Sequence, residues 1–200
     1  MRMLAGIAVL LFFTLSRGLA APGEAPSVAD VAPAQVAAPN GGDFTLQSLK
    51  GPISTKDFRG KLVMLYFGYT QCPDVCPTSL SLMTQSLNEL TPKELEQVVG
   101  IFVSVDPQRD SVASLAEYVG YFHPNFVGTT GSAEAVAEAA KLYGAQYSFS
   151  TEGDSALGYT VNHSATIYLI DKQGVLRFTF PHETPPETML GAMRFLFEEQ

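Results

Sequence analysis

The stretch KLVMLYFGYTQCPDVCPTSL, residues 61–80, decides the fold. Residues 61–69 form a nearly continuous apolar run with aromatic and β-branched side chains, the pattern of a strand buried on both faces. Such strands belong to parallel or mixed sheets covered by helices. Directly behind the run, Leu80, Met83, Leu87 and Leu90 recur at steps of three and four residues. That spacing lays one apolar helical stripe against the strand, so Met83 is a core residue. Cys72 and Cys76 therefore stand at a strand-to-helix junction, at the head of the helix.

Outward from this unit the same alternation continues. Residues 44–46 and 51–54 read as a short hairpin, and 56–60 as a turn or a single helical turn. Residues 98–105 repeat the buried-strand pattern. Asp110 and Ser111 can cap a helix whose stripe is Val112, Leu115, Val119 and Phe122. Residues 126–128 give a third strand and 133–143 a third helix, with Val136, Ala140 and Tyr143 on one side. The polar, Gly-containing stretch 147–159 reads as a loop or hairpin excursion. Strands at 165–170 and 175–180 pair across a turn at 171–174, and a helix at 186–197 closes the domain. This order describes an α/β protein, a thioredoxin-like fold with a mixed central sheet flanked by helices.

The N-terminus has a different character. Arg2, an apolar run at 4–15 and small residues at 18–21 form an export signal over residues 1–21. The run is shorter than the about 20 residues of a membrane span, and Ser16 and Arg17 interrupt it, which favours cleavage over a retained anchor. Residues 22–40 are rich in Ala and Pro and read as a flexible linker, too poor in large apolar groups to offset their own ordering entropy. The folded domain is then 41–200. Two hundred residues with 46% hydrophobic content support one core. The chain carries 12 basic and 20 acidic residues, for a net charge of −8, and loss of Arg2 and Arg17 would make it more acidic. Nucleic acid is excluded as a partner on this ground; the acidity suits solubility or a basic docking patch.

The chain has two cysteines, with three residues between them. A disulfide closing so short a loop contributes little as a staple, so the pair is explained by chemistry. A helix N-terminus favours thiolate over thiol, and side chains four apart on a helix face the same way. Soft thiolates favour copper(I) or zinc, and no carboxylate cluster competes for a harder ion. Structural zinc takes four protein ligands, which this chain lacks. A thiophilic metal site and a redox pair both remain open. Of the three histidines, His123 before Pro124 reads as a cap on the last carbonyls of a helix, and His182 beside Pro181 reads as a surface residue. His163 lies just before the 165–170 strand, where a thioredoxin-like chain passes opposite the cysteine loop. On chemistry alone it is either a third donor or a loop histidine satisfied by its neighbours.

GYTQCPDVCPTSL (68–80), SVDPQRD (104–110) and YTVNHSATIYLID (159–171), in this order and at these separations, resemble the Sco/SenC family of copper proteins. The resemblance runs from about residue 43 to the C-terminus. It implies one copper ion per chain, as Cu(I) or Cu(II), held by Cys72, Cys76 and His163. It further implies a metallochaperone that assists assembly of the dinuclear copper site of cytochrome c oxidase, by delivering copper, by reducing that site's cysteines, or both. The partners implied are the oxidase's copper-site subunit and, beyond it, other copper chaperones or thiol reductases. The location implied is the periplasm, with attachment to the inner membrane if the N-terminus is retained. One departure is Asn162, where the family usually has Asp; it bears on tuning of the metal rather than on ligation.

The alternative reading is a thiol-disulfide oxidoreductase without obligatory metal, using Cys72 and Cys76 as a redox pair. Against it stand the three-residue spacing and the lack of a proline where a thioredoxin's cis-proline would face the pair. A thiol peroxidase would use Thr70 near Cys72, on a weak motif. Asp106 and Asp110 follow a strand end, where loops of α/β folds carry function; the competing roles are a turn former and a helix cap. Tyr66, Phe67 and Tyr69 read as core, with Tyr69 placed to shield the site, and Met189 and Met193 as core by their helical spacing.

Overall fold

The computed structural model describes residues 40–151 and 158–199, and the expected export segment and nearly all of the linker lie outside them. The chain enters through the hairpin of β1 (Thr45–Ser48) and β2 (Gly51–Ser54) and a 3-10 turn, Thr55–Phe58. Ser54 and Asp57 cap that turn reciprocally. The apolar run becomes β3 (Leu62–Gly68), buried at every position. Helices α1 (Val75–Asn88) and α2 (Pro92–Leu95) follow, then β4 (Val98–Ser104), again buried throughout. Next come α3 (Val112–Gly120), β5 (Phe126–Thr129), α4 (Ala133–Leu142), and β6 (Tyr147–Ser150) with β7 (Thr160–His163). Strands β8 (Ile167–Ile170) and β9 (Leu176–Phe180) and helix α5 (Pro186–Glu198) complete the chain.

Strands β5, β4 and β3 run parallel, β8 pairs antiparallel with β3, and β9 pairs antiparallel with β8, in the order β5-β4-β3-β8-β9. The expected mixed sheet is therefore present, with β3, β4 and β8, all buried at every position, inside it. Leu80, Met83 and Leu87 of α1 are fully buried, and each contributes roughly 1.5–3 kcal/mol by leaving water. Met189 and Met193 are likewise core residues, and α1 packs against α5. Phe67 is buried between the rings of Tyr143 and Tyr168. Because β3 and β4 pair in parallel with Gly68 opposite Ser104, the loops that leave their C-terminal ends start side by side. Val105 extends that pairing, its N–H donating to the Gly68 carbonyl at 2.8 Å.

Three local details go beyond the expectations or choose among them. Helix α2 escapes a periodicity reading because it has one turn, although Thr91 and Glu94 form a capping box around Pro92. The N-cap of α3 is Ser111, whose oxygen accepts from the Ser114 N–H at 3.1 Å; Asp110 is buried and bonded elsewhere. Where a loop or hairpin excursion is expected, the described residues form β6, which pairs with β7 in a two-stranded sheet of its own, with Tyr147 opposite His163. No helix among the described residues is long and apolar enough to cross a membrane.

Candidate metal centre

The loop from β3 to α1 delivers Cys72, and the first turn of α1 delivers Cys76. Asp74, at the N-cap position, makes no side-chain capping bond. The Cys72 sulfur does that work instead, accepting from the Cys76 N–H at 3.5 Å. Cys76 itself has no exposure, and Cys72 is buried with a small opening to solvent. Both cysteines are free. Gly68 makes room for the inner sulfur: a Cβ there would lie 2.6 Å from Cys76 Sγ and 3.1 Å from the rings of Phe102 and Tyr66.

His163 arrives as the last residue of β7. Its Nε2 lies 3.3 Å from Cys76 Sγ and 3.7 Å from Cys72 Sγ. Its Nδ1 lies 3.1 Å from the Ser164 carbonyl, which can only accept, so Nδ1 carries a proton there. With Nδ1–H held by that carbonyl, Nε2 is the nitrogen that faces the sulfurs, and without a proton of its own it presents the lone pair a metal ligand needs. The three donor atoms lie within 4.8 Å of one another, and no carboxylate among the described residues joins them. Two soft sulfurs and one imidazole suit a thiophilic ion of low coordination number.

The two thiols are held in opposite states. A hydrogen bond from the Cys76 thiol, helped by His163 and the backbone amides of Cys76 and Asp74, brings Cys72 down to about 3 against the effect of its burial. Burial, then the bond to Cys72 and its charge, push Cys76 up. The reduced pair therefore keeps one proton, on the inner sulfur. Burial and the neighbouring sulfurs push Tyr66 and Tyr69 up as well, so both phenols stay neutral beside the site. Their rings meet the His163 ring edge-on, with centroids 6.2 and 5.7 Å away. Tyr69 thus takes the shielding position expected of it.

An alkylation profile follows from these states. Labelling of Cys72 by iodoacetamide is expected to stay flat between pH 5 and 8, because a thiol brought down to about 3 is already almost wholly thiolate at the lower end of that range. A free cysteine, with a pKa of about 8.5, would instead speed up nearly tenfold per unit over most of that range. Peptide mapping should find the label on Cys72 and not on Cys76. A rate that climbs with pH, or label on Cys76 first, contradicts the assignment.

A cleft of about 300 Å³ lined by Tyr69, Cys72, Val75, Val161 and His163 opens the site to solvent. A second, of about 390 Å³, lies across His163 and is lined by Tyr147, Asn162 and Ser164 among others. Asn162 is exposed and borders both, which puts it at the approach to the site.

The other residues considered from sequence lie elsewhere. His123 reaches the end of α3 through its backbone N–H, which donates to the Val119 carbonyl at 3.3 Å, while its buried ring accepts from the Asn125 N–H at 3.1 Å instead. His182 is not a plain surface residue, since its Nδ1 lies 3.1 Å from the buried Ser79 hydroxyl of α1. Asp110 accepts from the Thr70 N–H at 3.0 Å, the Thr70 hydroxyl at 2.5 Å and the Ser104 hydroxyl at 2.5 Å. It ties the cysteine loop to the end of β4 and commits the Thr70 hydroxyl that a peroxidase would need. Asp106 is fully buried and bonds Arg109 and the Tyr159 hydroxyl. The sequence reading missed the roles of Gly68, Arg109 and Tyr159. A glycine ending a wholly apolar strand was a signal for the first; residues 50 apart offered none for the other two.

The SCO1/SenC family profile matches residues 32–198. The mitochondrial SCO2 homolog of Mus musculus is 40% identical over 155 residues, covering 76% of this chain and 60% of that protein. This chain thus spans about three fifths of the length of that relative, and 58% of the corresponding Bos taurus protein. The solution structure of apo Sco1 from Thermus thermophilus superposes with a TM-score of 0.72 at 38% identity, covering 79% of this chain and 92% of that one. The crystal structure of Arabidopsis thaliana ScoI with copper bound gives 0.71 at 33% identity, covering 80% and 99%.

Proposed function

Since the chain belongs to the SCO1/SenC family, we propose that it carries one copper ion on Cys72, Cys76 and His163 and serves as a metallochaperone for the dinuclear copper site of cytochrome c oxidase. The observation that supports this most directly is the imidazole nitrogen 3.3 and 3.7 Å from two sulfurs at a helix head. Copper, as Cu(I) or Cu(II), is cargo here. Loading takes the remaining proton from Cys76 and leaves a site with two anionic sulfurs and one neutral nitrogen. Unloading requires a partner's ligands to enter through the cleft beside Cys72 while the three donors let go in turn. His163, on a hairpin outside the central sheet, is the donor with least backbone support.

A second role is favoured by the asymmetry of the thiols. Cys72 is an outward thiolate and can attack a partner disulfide, forming a mixed disulfide and releasing one partner thiolate. Cys76, once deprotonated, then attacks the Cys72 sulfur and releases the second. The partner gains two electrons and this chain ends with a Cys72–Cys76 disulfide. Reduction of the oxidase's copper-site cysteines before loading is chemistry of this kind.

We place the protein outside the cytoplasm, on the periplasmic side, free or held to the membrane by its N-terminus. The apolar run at 4–15 and the Ala- and Pro-rich stretch after it support that placement. The partner would be the oxidase's copper-site subunit, with other copper chaperones or thiol reductases reloading or re-reducing this chain.

The test mixes the Cu(I)-loaded protein with the apo, reduced copper-bearing domain of the oxidase subunit and follows absorption of the dinuclear centre. Transfer at stoichiometric concentrations is expected. In a parallel arm, the metal-free reduced protein should reduce the same domain when its cysteines are oxidised. Failure of both arms overturns the reading; success of the second alone makes the protein a reductase.

A further inference from the structure

The hairpin that carries His163 shares no backbone ladder with the five-stranded sheet. The distance from its ring to the two sulfurs is therefore set by side chains that bind the hairpin to the body. A concentrated set of these meets at Arg109. Its Nε donates to the Asp106 carboxylate, and its Nη1 donates to the Tyr159 carbonyl at 3.0 Å. The guanidinium also lies over the Tyr159 ring, 3.8 Å from the centroid, and the Tyr159 hydroxyl donates to Asp106 at 2.7 Å. Tyr159 is thereby gripped at its carbonyl, ring face and hydroxyl, one residue before β7 begins.

The same guanidinium lies 5.6 Å from the Tyr69 ring, and Tyr69 meets the His163 ring edge-on. Asp106 has no exposure, and Nη2 of Arg109 is buried with no hydrogen-bond partner among the described residues. A buried ion pair that leaves a donor unsatisfied is weak evidence for added stability, because desolvation offsets the attraction. What it supplies is fixed geometry, and the planar fork of arginine, stacked and hydrogen-bonded together, gives more of that than lysine could.

We propose that Arg109 is a positioning residue for copper binding: by clasping Tyr159 against Asp106 it holds the β6–β7 hairpin where the His163 ring faces both cysteines. The proposal rests on the reading of His163 as a copper ligand. Val161, buried in the core two residues before His163, keeps the hairpin attached when the clasp is cut. Cutting it should loosen the ring without detaching the strand, leaving copper on sulfur alone for part of the time.

The experiment measures Cu(I) affinity by chelator competition in the full chain, the thiolate-to-Cu(II) absorption band, and apo-protein melting. Its variants are Arg109→Ala, Tyr159→Leu, His163→Ala, and each of the first two combined with His163→Ala. Arg109→Ala leaves Asp106 unpaired, so Tyr159→Leu, which keeps the Arg109–Asp106 pair, reads the clasp if the first variant does not fold. Each clasp variant is expected to weaken copper binding about 10–100-fold, the range for partners that orient a ligand, and to move the absorption band toward that of His163→Ala. Neither should weaken binding further once His163 is already alanine. Parental affinity and spectrum in a folded clasp variant, or losses that add fully to that of His163→Ala, would overturn the proposal while leaving the ligand assignment intact. Parental affinity in His163→Ala would overturn the ligand assignment, and the clasp with it.

Discussion

His163→Ala is expected to lower Cu(I) affinity by at least about 100-fold, more than the 10–100-fold typical of losing a group that merely orients a ligand. The ring nitrogen approaches both sulfurs within 3.7 Å, so its loss removes one of three donors and leaves a two-coordinate thiolate pair. The ring also contributes to keeping Cys72 ionised, but the leading cause of that ionisation is the Cys76 thiol, which the substitution leaves in place. Disulfide-reducing activity should therefore survive. A chelator-competition titration of the reduced variant, run beside a dithiol assay, separates the two functions. Unchanged copper affinity would mean that the ligand set is wrong; loss of both activities would mean that His163 serves the thiols and not only the metal.

Gly68→Ala should damage the site from the opposite side. The added methyl would stand 2.6 Å from Cys76 Sγ, a distance that real contacts do not show, and two aromatic rings at 3.1 Å close off the ways around it. Gly68 ends a strand buried at every position, pairs with Ser104 of β4 and has its carbonyl held by the Val105 N–H, so the backbone has little freedom to retreat. The sulfur must move, and it cannot move without turning away from Cys72 and His163. Overpacking of this kind costs about 1–3 kcal/mol of stability, visible as a lower denaturation midpoint. Copper affinity should fall with it, and reducing the temperature should restore the fold but not the affinity. A variant of parental stability that binds copper normally would show that Cys76 has slack the contacts do not suggest.

Much of the fold was legible because its centre is written in long apolar runs. Strands β3 and β4 are buried throughout, and Leu80, Met83 and Leu87 mark one face of α1 without competition from other periodicities. The cysteines were legible for the same reason, since a strand end and a helix start leave their position little choice. His163 was a weaker case: residues alone left it between a ligand and a loop histidine, and its approach to Cys76 depends on pairing with Tyr147 across a hairpin whose intervening stretch carries no strong pattern. Asp110 and Ser111 were both legible as caps, because either type commonly caps a helix it precedes. The helix took the serine, freeing the carboxylate for Thr70 and Ser104, a choice made by tertiary structure. Arg109 and Tyr159 belong to the same class, meeting only after four intervening elements have folded.

The sulfur that caps α1 makes the helix a reporter of its own ligand. Cys72 occupies the place of a capping oxygen, accepting the Cys76 amide proton. Whatever draws on that sulfur's electrons, an ion or a covalent partner, weakens its hold on the amide and loosens the first turn. Deuterium uptake at the Cys76 amide should then register occupancy of the sulfur without any dye or chelator, and the signal would travel to the rest of the molecule as fraying at one end of a rod rather than as movement of the sheet.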